Sequence, residues 1–279
     1  GFKAPGMTSM YSGSEGYPNF YDFQTDNSNQ YKTNYIANPD LQPETSTNIT
    51  VGTVFEPFQG LSFSVDYISN TMNNQISTPD IQRVNDDEAK FGKEYVENKY
   101  QVIANRGPDG GPNYIIKPIN THEVINQRLQ FGVRASKYID SIGTIALRND
   151  TSYMFKYTEQ VFEDDAAEDV FTLPATPRWR NNATLSYAPT RGLSFDTILT
   201  TTGSSFKEQG ALKGKFNMYT RIDLAANIGL FNNSATLRIG VQDLVGENPP
   251  HDRTANQVTV SSLYDYTGTR YFASYRQTF

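Results

Sequence analysis

The stretch Asn217-Met218-Tyr219-Thr220-Arg221-Ile222-Asp223-Leu224-Ala225-Ala226-Asn227-Ile228-Gly229-Leu230 decides the fold. Its even positions run Met218, Thr220, Ile222, Leu224, Ala226, Ile228 and Leu230. Its odd positions run Asn217, Tyr219, Arg221, Asp223, Ala225, Asn227 and Gly229. In an extended chain successive side chains point to opposite faces, so this period of two is a strand with one apolar and one polar side. Asn232-Asn233 follows, two residues that tolerate the positive φ of a tight turn. Ala235, Leu237, Ile239 and Val241 then alternate with Ser234, Thr236, Arg238, Gly240 and Gln242, which completes a hairpin.

The same reading extends upstream. Ile49, Val51, Thr53 and Phe55 lead through a turn at 57–60 to Leu61, Phe63, Val65 and Tyr67. Leu129, Phe131, Val133 and Ala135 lead through 139–143 to Ile145, Leu147, Tyr153, Phe155 and Tyr157. Ala183, Leu185 and Tyr187 lead through 189–192 to Leu193 and Phe195, and the last strand carries Tyr271, Ala273 and Tyr275. Short connections alternate strictly with long ones, at about 5–44, 73–121, 159–177, 207–216 and 247–264. A transmembrane β-barrel segregates its loops in this way, short turns on one side and long loops on the other. The fold class expected is therefore all-β, an antiparallel transmembrane β-barrel with its apolar face to lipid and Arg148, Arg221, Asp223 and Arg238 to the lumen. Hydrocarbon admits strands only where every backbone amide is paired, hence only in a closed barrel. Nine strands leave two open edges, so residues 1–279 are expected to be the C-terminal portion of a larger one.

Composition agrees. Hydrophobic residues make up only 37 %, yet 18 Tyr and 17 Phe exclude the aromatic-poor composition of a disordered chain. No run approaches the roughly 18 apolar residues of a membrane helix. The absence of cysteine removes disulfides and thiolate metal sites, and the acidic balance, with net charge −6, speaks against nucleic acid. The chain opens at Gly1 with no signal-peptide pattern, which for an exported protein implies that an N-terminal part is missing. GxSxG, GxGxxG, GKS/T, HExxH and CxxC are all absent, so neither catalysis nor a cofactor is expected.

Several segments resemble the TonB-dependent receptors of Gram-negative outer membranes. Gly1-Phe2-Lys3-Ala4-Pro5 is similar to their GFRAP segment, and Asn38-Pro39-Asp40-Leu41-Gln42-Pro43-Glu44-Thr45-Ser46 to their NPxLxPExS motif. Val241-Gln242-Asp243-Leu244, followed by Glu247-Asn248-Pro249-Pro250, resembles the end of their penultimate strand, with Asp243 where Asn is usual. Gly268-Thr269-Arg270-Tyr271-Phe272 resembles the GRxY start of their last strand, with Thr269 interposed, and Arg178-Trp179-Arg180 the start of an earlier one. The resemblance covers the whole chain in the right order. It implies a barrel of about 22 strands filled by an N-terminal plug, of which this chain would hold roughly the last ten. It also implies import of a scarce nutrient (an iron–siderophore, cobalamin or a glycan) with TonB contacting the missing plug region. Tyr271, Tyr275 and the terminal Phe279 would form the signal read by the barrel-assembly machinery, with Gln277 a departure at a usually apolar position. Two other readings stay open: an unplugged outer-membrane diffusion porin, and a secreted β-rich carbohydrate-binding protein.

The first long loop gathers Tyr17, Phe20, Tyr21, Phe23, Tyr31 and Tyr35 among amides. Tyr17, Phe20, Tyr21, Tyr31 and Tyr35 are the candidate ligand contacts, suited to stacking on a sugar or catecholate; packing of the loop on itself is the plainer account. The acidic run Glu159–Asp169 is expected to be a solvated loop rather than a Ca²⁺ or lipopolysaccharide bridge. His122 and His251 are expected to be surface residues rather than metal ligands. Arg128, Arg134, Arg148 and Arg238 are expected to meet the plug. A loop helix is expected to start with Asn85 as cap before Asp86-Asp87-Glu88, with Phe91, Tyr95 and Val96 as its apolar stripe.

Overall fold

The computed structural model describes residues 1–163, 165–172, 176–209, 212–250 and 264–278; Asp164, His251 and Phe279 lie outside them. One antiparallel sheet follows the sequence order: β1 (Glu44–Phe58), β2 (Leu61–Asn73), β3 (Glu123–Ile139), β4 (Gly143–Gln160), β5 (Trp179–Thr190), β6 (Leu193–Thr202), β7 (Tyr219–Leu230), β8 (Ala235–Gln242) and β9 (Arg270–Gln277). The stub Phe2–Lys3 pairs with the start of β1. The short turns fall where the sequence places them. Gly60 takes φ 87°, and a Cβ there would meet the Ser136 carbonyl oxygen, so only glycine fits. Phe231, Asn232 and Asn233 turn with φ of 51°, 56° and 69°.

Two compact units divide the chain. The wall unit comprises Ile49–Ser69, Asn126–Tyr157 and Asp169–Phe279. Its strand registers line up rows of apolar side chains: Phe195, Ala226, Ile239 and Ala273 in one, Leu193, Ile228, Leu237 and Tyr275 in the next, Thr197, Leu224, Val241 and Tyr271 beyond. Of these residues only Val241 is buried, none joins the cluster around Phe20 and Tyr114, and Leu185 and Ile239 remain 50 % and 42 % exposed. The opposite face is polar. Asp196 accepts hydrogen bonds from Ser186 Oγ (2.7 Å) and Asn227 Nδ2 (2.9 Å) and faces Arg238 at 3.7 Å. Asp150 pairs with Arg134 and Arg148 at 3.0 and 2.8 Å. Within the described residues of this unit, a sheet with one apolar side and one ion-paired side has the make-up of a wall between lipid and water.

One departure was invisible to alternation. Asn149, Thr151 and Asn181 occupy the apolar parity of β4 and β5, where Asn181 Nδ2 donates to Asn149 Oδ1 and Thr151 Oγ1, each at 2.7 Å. Their polar atoms satisfy one another, which lowers the cost of facing hydrocarbon. At the C-terminus Gln277 lies opposite Ala235 and the Thr278 N–H donates to the Ser234 carbonyl, so β9 ends on the short-turn side.

The loop unit comprises Gly1–Asn48, Asn70–Ile125 and Thr158–Glu168. The two longest connections fold here into a subdomain. Ser14–Gly16, Thr33–Tyr35, Pro112–Ile116 and Ile103–Arg106 form a four-stranded sheet in that spatial order, with one parallel pairing between the second and third. Helices α1 (Ile81–Phe91) and α2 (Lys93–Tyr100) pack with it around Phe20, Val84, Val96, Tyr100, Tyr114 and Ile116.

The helix differs from expectation in its start and in its continuity. Asp80 caps α1, its carboxylate accepting the Arg83 N–H at 2.8 Å, and Asn85 is buried one turn in. Gly92, at φ 89°, breaks the helix into two. Val96 is buried as expected, but Phe91 is 59 % exposed, because Val84, Asn85 and Glu88 form the inward face instead.

The NPDLQPE segment ties this unit together. Asn38 Nδ2 donates to the Pro118 carbonyl at 2.8 Å, Leu41 is buried, and Glu44 accepts the Ile76 N–H and the Lys3 ammonium, both at 3.0 Å. Its residues thus join the stub, β1 and both long loops.

Candidate functional site

The hairpin Asn19–Asp22 / Asn27–Gln30 in the loop unit carries the candidate aromatics Phe20 and Tyr21. Alternation sends Phe20 and Asp22 inward and leaves Asn19 and Tyr21 on the other side, opposite Gln30 and Ser28. Tyr21 and Phe23 meet edge to face with centroids 4.7 Å apart, and the Tyr21 hydroxyl donates to Asp26. That bond raises the Tyr21 phenol above its ordinary pKa. Phe23 is 57 % exposed.

The inward side anchors it. Asp22 is fully buried and pairs with Arg106 at 2.7 Å, while a second arm of the same guanidinium holds Glu88 at 2.9 Å. Burial alone would raise Asp22, but the bonds from Arg106, Thr25 and the Gln24 N–H outweigh it and hold the carboxyl below the usual range. Tyr114 donates to Glu88, and burial followed by that bond pushes its phenol well up. From α1, Gln82 Oε1 accepts the Tyr21 N–H at 3.0 Å. Gln82 Nε2 and Asn85 Nδ2 donate to the Tyr21 carbonyl at 2.9 and 3.0 Å. The edge of the hairpin is thereby held by side chains instead of another strand.

The five candidate aromatics separate by burial. Phe20 and Tyr31, with centroids 5.0 Å apart, are core residues, 5 % and 7 % exposed. Tyr35 packs half-buried against that core, Tyr21 is half-buried, and Tyr17 is exposed, donating to Glu15 at 2.5 Å. The structure brings Phe20 and Tyr31 together as packing, and Tyr21 with Phe23 as surface. Of the supporting residues, Gln82 and Arg106 carried no signal in the sequence, and Asn85 was expected to cap the helix instead of bonding the hairpin.

Elsewhere the acidic run is in use: Asp165 pairs with Lys99 at 3.0 Å, Glu168 with Arg83 at 2.7 Å, and Asp169 with Arg178 at 3.6 Å. Among the described residues no group of three or more His, Cys, Asp or Glu side chains is placed to hold a metal, and His122 is exposed. On the polar side of the wall, Arg134, Arg148, Arg238, Asp196 and Glu56 line a concavity of about 680 Å³.

The family model for TonB-dependent receptor-like β-barrels matches residues 1–244. The chain belongs to the TonB-dependent receptor family. Members of this family are outer-membrane receptors of Gram-negative bacteria, transporters rather than enzymes. No curated protein matches the sequence. Among solved structures, the siderophore receptor PirA of Acinetobacter baumannii aligns with all of this chain and 38 % of its own, at TM-score 0.65 and 16 % identity. The ferric enterobactin receptor PfeA of Pseudomonas aeruginosa, solved with enterobactin, aligns with 98 % of this chain and 36 % of its own, at TM-score 0.65 and 15 % identity. The iron transporter FrpB of Neisseria meningitidis aligns with 85 % of this chain and 31 % of its own, at TM-score 0.56 and 10 % identity. The chain therefore spans 31 to 38 % of the length of these proteins and shares their fold.

Proposed function

We propose that the intact protein is a TonB-dependent receptor that binds a scarce nutrient at its long loops and imports it through the outer membrane, driven through TonB. The observation that carries this reading is the loop unit. The two longest connections form a folded body with its own core and buried ion pairs, a preorganised binding surface that passive diffusion does not need. Cargo of the siderophore, cobalamin or glycan class fits the family. Of the candidate contacts, Tyr17, Tyr21 and Tyr35 stay available, whereas Phe20 and Tyr31 are committed to the core. The remaining partners follow from the same reading: TonB through an upstream plug, outer-membrane lipid and lipopolysaccharide, and the barrel-assembly machinery through Tyr271, Tyr275 and Phe279. The test is energy-dependent uptake by cells carrying the full-length protein. Cargo accumulation that stops on deletion of TonB or collapse of the proton-motive force supports the reading; accumulation indifferent to both marks a diffusion pore.

A further inference from the structure

We propose that the outer face of the hairpin 19–30 is a platform for a neutral, polyhydroxylated ligand, an oligosaccharide, which stacks on Tyr21 and Phe23 and hydrogen-bonds to the polar groups around them. The proposal rests on the receptor reading and names its cargo class. Three observations converge on it.

The first is shape and chemistry. A sugar ring offers an apolar face of C–H groups and a rim of hydroxyls, and its complement is an aromatic face ringed by amides and carboxylates. Tyr21 and Phe23 supply the rings. Asn19 and Gln30 face each other across the ribbon beside them, Ser28 stands opposite Tyr21, and Asp26 holds the Tyr21 hydroxyl. Asn19, Phe23, Asp26, Ser28 and Gln30 are all exposed.

The second is rigidity. The Tyr21 peptide is pinned on both sides by Gln82 and Asn85, and the next residue, Asp22, is locked to Arg106. A ring whose backbone is fixed before binding loses little freedom when a ligand stacks on it.

The third is charge, and it separates sugars from anionic chelates. The loop unit carries 18 acidic and 8 basic residues, a net charge of −10, whereas the wall unit carries 12 acidic and 16 basic, a net charge of +4. Six of the loop unit's eight bases already hold a carboxylate: Lys3, Lys32, Arg83, Lys93, Lys99 and Arg106. An anionic ferric catecholate would meet a repelling field and few cations to clamp it. A neutral glycan is indifferent to that field and needs only the rings and the hydrogen-bonding rim.

The test is calorimetry on the full-length receptor in detergent, with a panel of neutral oligosaccharides (α- and β-linked gluco-, manno- and xylo-oligosaccharides of six to seven units) and a ferric tris-catecholate. At least one sugar is expected to bind. Its affinity should fall at least tenfold in Phe23→Ala and in Tyr21→Ala, and stay within about threefold in Tyr21→Phe, which keeps the ring. Phe23 is mostly exposed, so its truncation leaves the fold intact. No binding across the sugars, sugar binding unmoved by either truncation, or tighter binding of the tris-catecholate each overturns the proposal. The receptor reading is judged separately by the energy dependence of uptake, and a bound catecholate would leave it standing.

Discussion

Replacing Arg106 by Met in the full-length protein isolates the loop unit from the wall. Arg106 makes two charge-assisted contacts, at 2.7 Å to Asp22 and 2.9 Å to Glu88, whose side chains are 0 % and 5 % exposed. Each such bond contributes roughly 1.5–3 kcal/mol, and losing a buried partner costs about 3–5 kcal/mol because the stranded charge has no water to turn to. Arg106 itself is one-fifth exposed, and solvent screening there argues for the low end, about 3 kcal/mol. The free energy of opening the loop unit should drop by that amount, which raises exchange of its amides roughly a hundredfold. Hydrogen exchange with peptide-level readout would see this in 19–31, 81–100 and 103–116, while β7, β8 and β9 keep their protection. Adding Asp22→Asn and Glu88→Gln removes the stranded charges and should restore much of the loss. Unchanged protection in the loop segments, or a parallel loss in the wall, would refute the argument that the loops fold around this ion pair as their own cooperative unit.

The same unit has a pH signature. Burial, with bonds to Asp87 and Glu88, raises the phenols of Tyr100 and Tyr114, so their stabilising contribution is complete below the unfolded tyrosine pKa of about 10 and is lost as pH climbs above it. Asp22 has the opposite sign: its contribution is present above about pH 4 and lost as pH falls through its depressed folded value. Hydrogen exchange across pH should show the loop unit loosening at both extremes. Asp80→Ala removes the cap of α1 and should cost about 1 kcal/mol of local stability, visible as faster exchange near Arg83. Leu237→Arg, on the apolar row with Ile228, should destabilise insertion into lipid vesicles by roughly 2–4 kcal/mol.

Alternation was enough to find the wall, because period two is a local signal and the faces of β7 and β8 differ at nearly every position. It failed at Asn149, Thr151 and Asn181, which satisfy one another across strands, a pairing that no single strand reveals. The loops were hardest. Aromatics set among amides from Tyr17 to Tyr35 suggested a ligand-contacting surface, yet Phe20, Asp22 and Tyr31 turn inward, one side of the ribbon being fixed by Arg106, 84 residues from Asp22 in sequence. The cap of α1 went to Asp80 rather than Asn85, since Asn85 was needed to bond Tyr21 and Tyr114. Long-range pairing of this kind leaves only weak traces in a local pattern.

The claim that the sheet is a membrane wall is testable most directly by a periodic lipid scan. The sequence has no cysteine, so single cysteines at each position from Thr236 to Val241 can carry a spin label without background. In the full-length protein reconstituted in bilayers, collision with oxygen, which concentrates in lipid, should be high at 237, 239 and 241 and low at 236, 238 and 240. Water-soluble nickel chelate should show the reverse. A scan without a period of two, or nickel access equal on both faces, would contradict the account.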